Sequence, residues 1–250
     1  MDYKDVRKKF VELSGRYDLI KSTDEDDGAD FFINSGQKYL DRLLVSNKMW
    51  ARYPVALAAG EYIAKTTGIR AIKEVWIANS DGKIQLTPCT MQQLRTEYSD
   101  ELASVTQGTP EYYAPAVFRP APDTLVTTTG LYDIADILTY SATAPAQHFN
   151  YHGVVIMPPP DVAYTCIIWG LFYSPTLSAT LSGSTWTQVK SYWTEVFPEI
   201  LIEAALFRLE GFYRNTEGAK DFKATLMEDV SGLDHDSVEE DLVGDMQMGG

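Results

Sequence analysis

The sequence contains few of the residues that most often carry covalent or metal chemistry. Its two cysteines, Cys89 and Cys166, cannot build a disulfide framework and lack the spacing of zinc ligands. Of its three histidines, His148 and His152 would share a strand face but lie about 13 Å apart at the rise of a strand, too far to share a metal ion. The third, His235, lies in an acidic tail. We therefore expect reduced thiols, no metal and no cofactor.

Long apolar runs and basic clusters are scarce as well. The nearest approach to a membrane span, residues 162–173, is shorter than the ~18 apolar residues that a span needs, and it indicates a buried strand. The N-terminus has no apolar signal-peptide core. The chain has 21 Lys and Arg against 35 Asp and Glu, a formal net charge of -14, which disfavours tight binding to nucleic-acid phosphates. We expect a chain made in the cytoplasm, with no membrane partner.

Recognisable catalytic motifs are missing too. We find no glycine-rich phosphate loop, no nucleophile elbow and no cysteine–histidine pair in a supporting context. Carboxylates cluster only in residues 24–27 and in the tail, where exposure makes them poor general acids. The loop around Gly28 differs from a calcium-binding loop at its first and twelfth positions, Thr23 and Asn34. These observations favour a structural or binding protein over an enzyme.

Apolar periodicity predicts helices in the N-terminal part. A first helix runs from Asp2 to about Ser14, and its basic side is either a solvated face or a docking strip for an acidic partner. The basic residues are Lys4, Arg7, Lys8 and Lys9. A second helix spans residues 29–45, with four polar residues expected away from its apolar arc. These are Asn34, Lys38, Asp41 and Arg42. Residues 50–66 are mostly apolar. They are compatible with a strand followed by a helix, but the sequence does not decide between strand and helix here.

The middle of the chain shows the alternation and turn residues of strands. Residues 69–77 and 83–86 predict a hairpin, and residues 112–119 predict a further strand. The strongest hairpin signal pairs residues 149–157 with residues 163–173 around a proline-fixed bend.

Other central segments are predicted from caps and composition. Thr87 and Pro88 predict the start of a helix that reaches about Leu102. Residues 125–146 predict weak strands or an exposed insertion, and residues 178–183 a polar loop. Thr185 is predicted to begin the next helix.

The most apolar helix is predicted over residues 197–215, with Pro198 at its first position and Asn215 at its left-handed end. Its apolar arc is wider than the stripe of an ordinary surface helix, which places it between layers or against another subunit. Arg208 points into this arc. It is either a buried or interface ion-pair partner or a stem that lies on the core with its head in water.

The C-terminal part is predicted to be helical and acidic. An amphipathic helix over residues 217–230 ends at Gly232, and a capping box at Ser237 opens a short last helix. From Glu228 onward there are eight acidic side chains and no Lys or Arg. Such a tail is typically mobile, or it orders on a basic partner surface.

Together these elements predict an α+β fold. Residues 1–66 and 185–230 form a helical bundle layer, residues 67–184 an inserted β-rich domain, and residues 231–250 an extended acidic C-terminal arm. Insertion of one domain into another fits because domain termini tend to lie close together.

The order of five segments resembles a known family. An N-terminal helix leads to ELSGRYDLI, an acidic loop precedes INSGQKYLDRLL, and MPPPDVAYTCIIWGLFYSPTLS follows the central strands. SYWTEVFPEILIEAALFRLEGFYRNTEGAKDF then leads to the tail DHDSVEEDLVGDMQM. This pattern resembles the adaptor proteins of the tailed-bacteriophage head-to-tail connector.

The resemblance implies a virion protein made in the host bacterial cytoplasm. It implies a homo-oligomeric ring, commonly a dodecamer, that binds the portal protein and carries the tail nozzle or tail fibre proteins. Double-stranded DNA would pass through the ring's channel without specific binding, and an acidic lining would repel its phosphates. The family has no catalytic residues to carry over. We name Arg208, Leu201 and Phe212 as candidate inter-subunit contacts, and Val238, Leu242 and Met246 as candidates for an arm that docks on the portal.

Two other functions remain open from the sequence. The first is another phage neck, tail-tube or collar protein, which electron microscopy of the virion would separate by position and symmetry. The second is a hydrolytic enzyme that uses the β domain as a substrate cleft, which a screen with carboxylate substitutions would detect.

Overall fold

A computed structural model describes residues 1–44, 50–66, 68–80, 82–98, 102–118 and 151–247. The helices are α1 (Tyr3–Ser14), α2 (Ala29–Leu43), α3 (Met91–Glu97), α4 (Tyr192–Val196), α5 (Pro198–Phe212) and α6 (Thr216–Gln247). The strands are β1 (Trp50–Leu57), β2 (Ile63–Lys65), β3 (Ile69–Asn79), β4 (Gly82–Gln85), β5 (Thr87–Pro88), β6 (Tyr112–Phe118), β7 (Tyr151–Met157), β8 (Tyr164–Phe172), β9 (Ala179–Ser182) and β10 (Thr185–Gln188). Helices lie at both ends with a β region inserted between them, which confirms the predicted α+β class.

The chain divides into two compact units. One unit combines Met1–Met49 with Tyr173–Gly250, and the other is Trp50–Phe172. We call them the helical unit and the β unit.

Helix α5 organises the helical unit. It packs against α1, α2, α4 and α6, and its buried residues cover most of its circumference, as its wide apolar arc predicts. Pro198 lies in its first turn, as predicted. Helices α2 and α5 approach closely at Gly36, where a Cβ atom would lie 2.7 Å from the backbone nitrogen of Ala205.

Helix α5 ends at Phe212, three residues before the predicted end, and the predicted left-handed residue is wrong by one position. The left-handed residue is Arg214, with φ of 60°, and not Asn215. Asn215 instead begins the next helix, because its carbonyl accepts from the backbone N–H of Ala219 and its side chain accepts from that of Gly218.

The prediction that a helix ends at Gly232 is also wrong. Helix α6 continues through Gly232 to Gln247, so the separate last helix expected from Ser237 does not form. A glycine inside a helix costs only about 1 kcal/mol relative to alanine, and Gly232 does not adopt a left-handed φ. One glycine is too weak a signal to end a helix that its neighbours favour.

Residues 179–188 form a hairpin where a polar loop and a helix start were predicted. Strands β9 and β10 pair from Ser182 with Thr185 outward, and Gly183 supplies the positive φ that their two-residue turn requires. The helix begins later, at α4, where Ser191 and Thr194 form a capping box. The alternating threonines of this stretch support strands better than the helix that Thr185 alone predicts.

The β unit contains two four-stranded sheets. Their strand orders are β1-β8-β3-β4 and β2-β7-β6-β5. One core cluster draws buried side chains from both sheets, among them Val75, Ile168, Tyr113, Val154 and Ile156. A second cluster covers the other face of the second sheet and joins Val155 and Met157 to Leu94 of α3.

The strongest predicted hairpin does not form. Strand β8 pairs with β1 and β3, whereas β7 pairs with β2 and β6 in the other sheet. Residues Val154 to Met157 are all buried, because β7 is covered on both faces. A run that is apolar on both faces indicates a central strand. The pattern does not indicate which strands lie on either side of it.

The β unit confirms one further predicted hairpin and contains less helix than the sequence pattern allowed. The hairpin of β3 and β4 is confirmed, with Asn79 opposite Gly82. Residues 50–66 contain two strands and no helix. The helix predicted from Thr87 to Leu102 is shorter, because Thr90 and Gln93 form the capping box of α3 while Thr87 and Pro88 pair with β6. The predictions for residues 125–146 lie outside the described residues.

Candidate functional site

Four polar residues of α2 form a stripe on one side of the helix. Their spacing of four, three and four residues follows the helical period. They are Asp30, Asn34, Gln37 and Asp41, which we call the α2 polar stripe. The sequence predicted that Asn34, Lys38, Asp41 and Arg42 lie away from the apolar arc. Lys38 and Arg42 are exposed, whereas Asp41 is buried, because the chain that returns from the β unit covers the stripe.

Asp41 binds Ser174, near the start of this return, and Trp193 of α4. Its Oδ2 accepts from the backbone N–H of Ser174 at 2.8 Å, and its Oδ1 accepts from the Ser174 hydroxyl at 2.9 Å. Oδ1 also accepts from the indole N–H of the buried Trp193 at 2.8 Å. One carboxylate therefore fixes two segments that are far apart in the sequence.

Gln37 and Asn34 extend the anchor along the stripe. Gln37 donates to the carbonyl of Pro175 at 2.8 Å and accepts from the Ser191 hydroxyl at 2.7 Å. Asn34 accepts from the backbone N–H of Leu177 at 2.7 Å and donates to its carbonyl at 2.9 Å. Side chains thus satisfy the backbone groups of an irregular segment, which would otherwise be costly to bury.

Asp30 closes the stripe with a buried ion pair. Arg7 of α1 donates to its two carboxylate oxygens at 2.7 and 2.9 Å, and the Tyr3 hydroxyl donates at 2.6 Å. Burial lowers the pKa of Arg7, but the hydrogen bonds and charge of Asp30 outweigh burial and the net direction is upward. Burial and Asp30 raise the pKa of the Tyr3 hydroxyl, so it remains a donor.

The basic side predicted for α1 is therefore only partly a solvated strip. Arg7 is buried and belongs to the ion pair with Asp30. Lys8 and Lys9 are exposed, and Lys4 lies 5.5 Å from the ring centre of Trp186. Both interpretations, a solvated face and a docking strip, require exposed side chains, which Lys8 and Lys9 have and Arg7 lacks.

An aromatic strip lies on the surface of the helical unit. Phe31, Phe32, Phe212 and Tyr213 follow one another with ring centres 5.1 to 5.5 Å apart, and the guanidinium of Arg16 lies 4.2 Å from the ring centre of Tyr213. Phe212 is 64% exposed and Phe31 is 65% exposed. An exposed patch of apolar surface that contains two phenylalanines is typical of contact surfaces between proteins.

The three candidate contact residues of α5 lie in different environments. Leu201 is fully buried in the core of the subunit, and Phe212 belongs to the aromatic strip. Arg208 is half-buried, with its guanidinium 4.5 Å from the ring centre of Tyr39 and 5.3 Å from that of Phe207. Its Nε atom is buried and has no hydrogen-bond partner in the described part of the chain.

A pair of carboxyl groups joins α5 to α6. Burial and the neighbouring Asp229 raise the pKa of Glu203 to about 7. Its Oε2 atom is buried without a hydrogen-bond partner among the described residues. No sequence signal marks this pair, because it forms only when residues 26 positions apart are packed together. The arm candidates Val238, Leu242 and Met246 lie in the helical backbone of α6.

The described part of the chain has a cleft beside α1 but no metal-ligand group. A cleft of about 320 Å³ lies beside α1, and the described residues that line it include neither histidine nor cysteine. In the described ranges no group of three or more His, Cys, Asp or Glu side chains could hold a metal ion. None of the helices within those ranges is long and apolar enough to cross a membrane.

An α+β chain with a rigid anchor and exposed aromatic and charged surfaces is typical of a structural protein that works through contacts with other chains. A family model described as SU10 adaptor protein matches residues 1–243, and the chain belongs to this family of phage head-to-tail adaptors. The resemblance seen in the sequence is thereby confirmed. A comparison with curated proteins found none that matches the chain.

Family membership places the chain among bacteriophage structural proteins. It makes the chain a virion component that assembles with portal and tail components.

Proposed function

We propose that this chain is the adaptor subunit that forms a ring beneath the phage portal and joins it to the tail or nozzle. The observation that carries the proposal is the family match over residues 1–243, which includes both ends of the helical unit and the β unit inserted between them. A homo-oligomeric ring, a dodecamer by the family resemblance, requires contacts between copies that close on themselves. The exposed Phe212 and the half-buried Arg208 are our candidates for such contacts, whereas Leu201 acts through the core.

The length and exposure of helix α6 support the proposal that it is a portal-docking arm. It has 32 residues, so it is about 48 Å long at 1.5 Å per residue. Its last buried side chains in the described set are Leu226 and Val230, and the next two residues, Ser231 and Gly232, are exposed. In the sequence, Val238, Leu242 and Met246 recur at the helical spacing of four residues among acidic residues, an apolar line by pattern. We infer that this line docks on the portal.

The formal net charge of -14 fits passage of DNA through the ring. A protein must offer clustered lysine and arginine to hold the phosphate backbone. An acidic channel wall repels phosphates, so the duplex moves without sticking during genome retention and ejection. We infer that the adaptor extends the channel and does not recognise DNA sequence.

The test is assembly with the portal of the same phage. Purified adaptor is mixed with purified portal rings, and the products are weighed by native mass spectrometry and imaged by cryo-electron microscopy. We expect one ring of adaptor subunits on each portal, with α6 directed onto it. Absence of the chain from both portal complexes and virions would reject the proposal.

A further inference from the structure

One side of α5 is only partly covered by the rest of the helical unit. On a helical wheel of 100° per residue, the buried Ile200 and Ala204 share an arc with three half-buried residues and an exposed glycine. The half-buried residues and the glycine are Glu203, Phe207, Arg208 and Gly211. Tyr39 of α2 borders this arc beside Arg208, and Asp229 of α6 borders it beside Glu203. We call Glu203, Phe207, Arg208 and Gly211 the α5 open arc.

The α5 open arc holds two buried polar atoms without a hydrogen-bond partner in the described ranges, one on an arginine and one on a carboxyl group. They are Nε of Arg208 and Oε2 of Glu203. The rings of Tyr39 and Phe207 hold the Arg208 guanidinium in place but offer no anionic acceptor. Glu203 faces a second carboxylate, Asp229, and not a cation. A group that binds here therefore needs a cation near α6 and an anion near α2.

Helix α1 carries a strip with that combination of charges. Its exposed residues recur at spacings of three, one and three residues, on the side opposite its buried face. They are Asp5, Lys8, Lys9 and Glu12, which we call the α1 outer strip. The local ion pairs of the strip, Lys9 with Glu12 at 3.3 Å and Lys8 with Asp24 at 3.9 Å, are exposed and therefore weak. They can be exchanged for better partners.

The two surfaces face away from each other within one subunit. Helix α1 packs against α5. Because the residues of the open arc are half-buried or exposed, α1 covers a different side of α5. Ile202, Leu206 and Leu209 are buried on the opposite side of α5. The α1 outer strip faces away from this shared interior. Two complementary surfaces on opposite sides of one subunit produce a head-to-tail contact, which continues from copy to copy until it closes.

We propose that the α1 outer strip of one copy docks on the α5 open arc of the next copy, with Lys8 and Lys9 facing Glu203 and Asp229, and Glu12 facing Arg208. This inference rests on the proposed ring and names the surfaces that build it. The lower dielectric constant of the contact strengthens the attraction within each charge pair, and the complementary pattern selects which surfaces meet. Phe207 supplies the apolar centre of the contact.

Charge reversal on each side tests the pairing. The strip variant is Lys8→Glu with Lys9→Glu, and the arc variant is Glu203→Lys with Asp229→Lys. We expect either variant alone to assemble on portal rings with about ten-fold lower affinity or worse, because like charges then face each other. A variant that carries all four changes should regain assembly to within about two-fold of the wild type, since its charges match again.

A mixture of the strip variant and the arc variant separates head-to-tail from symmetric contacts. In a head-to-tail ring each variant matches the other, so an equal mixture should assemble into alternating rings that native mass spectrometry resolves. A symmetric contact between two open arcs would leave the strip variant unaffected. The matched control for the strip variant is Lys73→Glu with Lys83→Glu in the β unit. It makes the same change of net charge as the strip variant, at exposed strand positions, and should assemble normally.

Each remaining outcome has a defined meaning. Normal assembly of the strip and arc variants, or loss without recovery in the four-change variant and the mixture, overturns the pairing while the ring itself stands. Equal loss in the control attributes the effect to net charge and also overturns it. If the wild-type chain never joins portal rings, the proposed function fails first and this inference fails with it. Thermal melting of every variant shows whether a loss of assembly comes from unfolding.

Discussion

Asp41 is the residue on which the anchor of the return segment depends. Replacing it with alanine leaves the Ser174 N–H and the Trp193 indole N–H without their acceptor. Loss of hydrogen bonds to a buried charged group typically costs about 3 kcal/mol. We therefore expect Asp41→Ala to lower the free energy of unfolding by roughly that amount, measured by urea denaturation.

The control for this prediction is Asp41→Asn. It keeps one acceptor oxygen of the same shape but turns an N–H toward a donor, so its loss should be intermediate. A change of less than about 0.5 kcal/mol for Asp41→Ala, the usual range for surface positions, would show that the anchor contributes nothing.

Arg208 tests whether a half-buried charge serves folding or assembly. Because its Nε has no acceptor in the described part of the subunit, Arg208→Ala removes only stacking on Tyr39 and Phe207 from the isolated chain. We expect the melting temperature to change little and assembly on portal rings to fall. Arg208→Met, which keeps the apolar stem, should melt like the wild type and assemble as poorly as Arg208→Ala. Stronger loss of stability than of assembly would place the partner of Arg208 inside the subunit.

At the scale of elements, two glycines in helices give opposite predictions. At Gly36 a Cβ atom would lie 2.7 Å from the backbone of α5, whereas at Gly232 it would meet no described neighbour within 4 Å. Gly36→Ala should therefore destabilise the helical unit by more than about 2 kcal/mol through overpacking. Gly232→Ala should be neutral or add up to about 1 kcal/mol to helix stability. Urea denaturation compares the two directly, and similar effects at both positions would contradict the helix packing.

The contact of α5 with α6 should depend on pH. Burial and Asp229 raise the pKa of Glu203 from its ordinary 4.5 to about 7 in the folded chain. Between these values the folded chain holds a proton that the unfolded chain has released, so the free energy of unfolding falls as pH rises through this window. Glu203→Gln removes the titrating group. We expect thermal melts at several pH values from 5 to 8 to show a smaller fall in melting temperature for the variant, and parallel curves would contradict this assignment.

The sequence predicts elements better than it predicts their partners. Periodicity locates α1, α2 and α5, and the turn at Asn79 locates the hairpin of β3 and β4. The partners of β7 and β8 escape prediction, because apolar residues on both faces carry no information about which strand lies beside them. The α2 polar stripe shows a second limit. Its helical spacing is visible in the sequence, but a polar face that covers a backbone segment looks the same as one that faces water.

For the whole molecule, the decisive division is between a folded body and the end of α6. Deleting residues 233–250 removes Val238, Leu242 and Met246 but no described buried side chain, since Val230 is the last one. The truncated chain should melt as the wild type does and lose affinity for portal rings, measured by co-sedimentation. The variant Val238→Asp with Leu242→Asp is the matched control, because it keeps the length of the arm and removes its apolar line. It should bind as weakly as the truncated chain, whereas truncation without any loss of binding would reject the arm as the docking element.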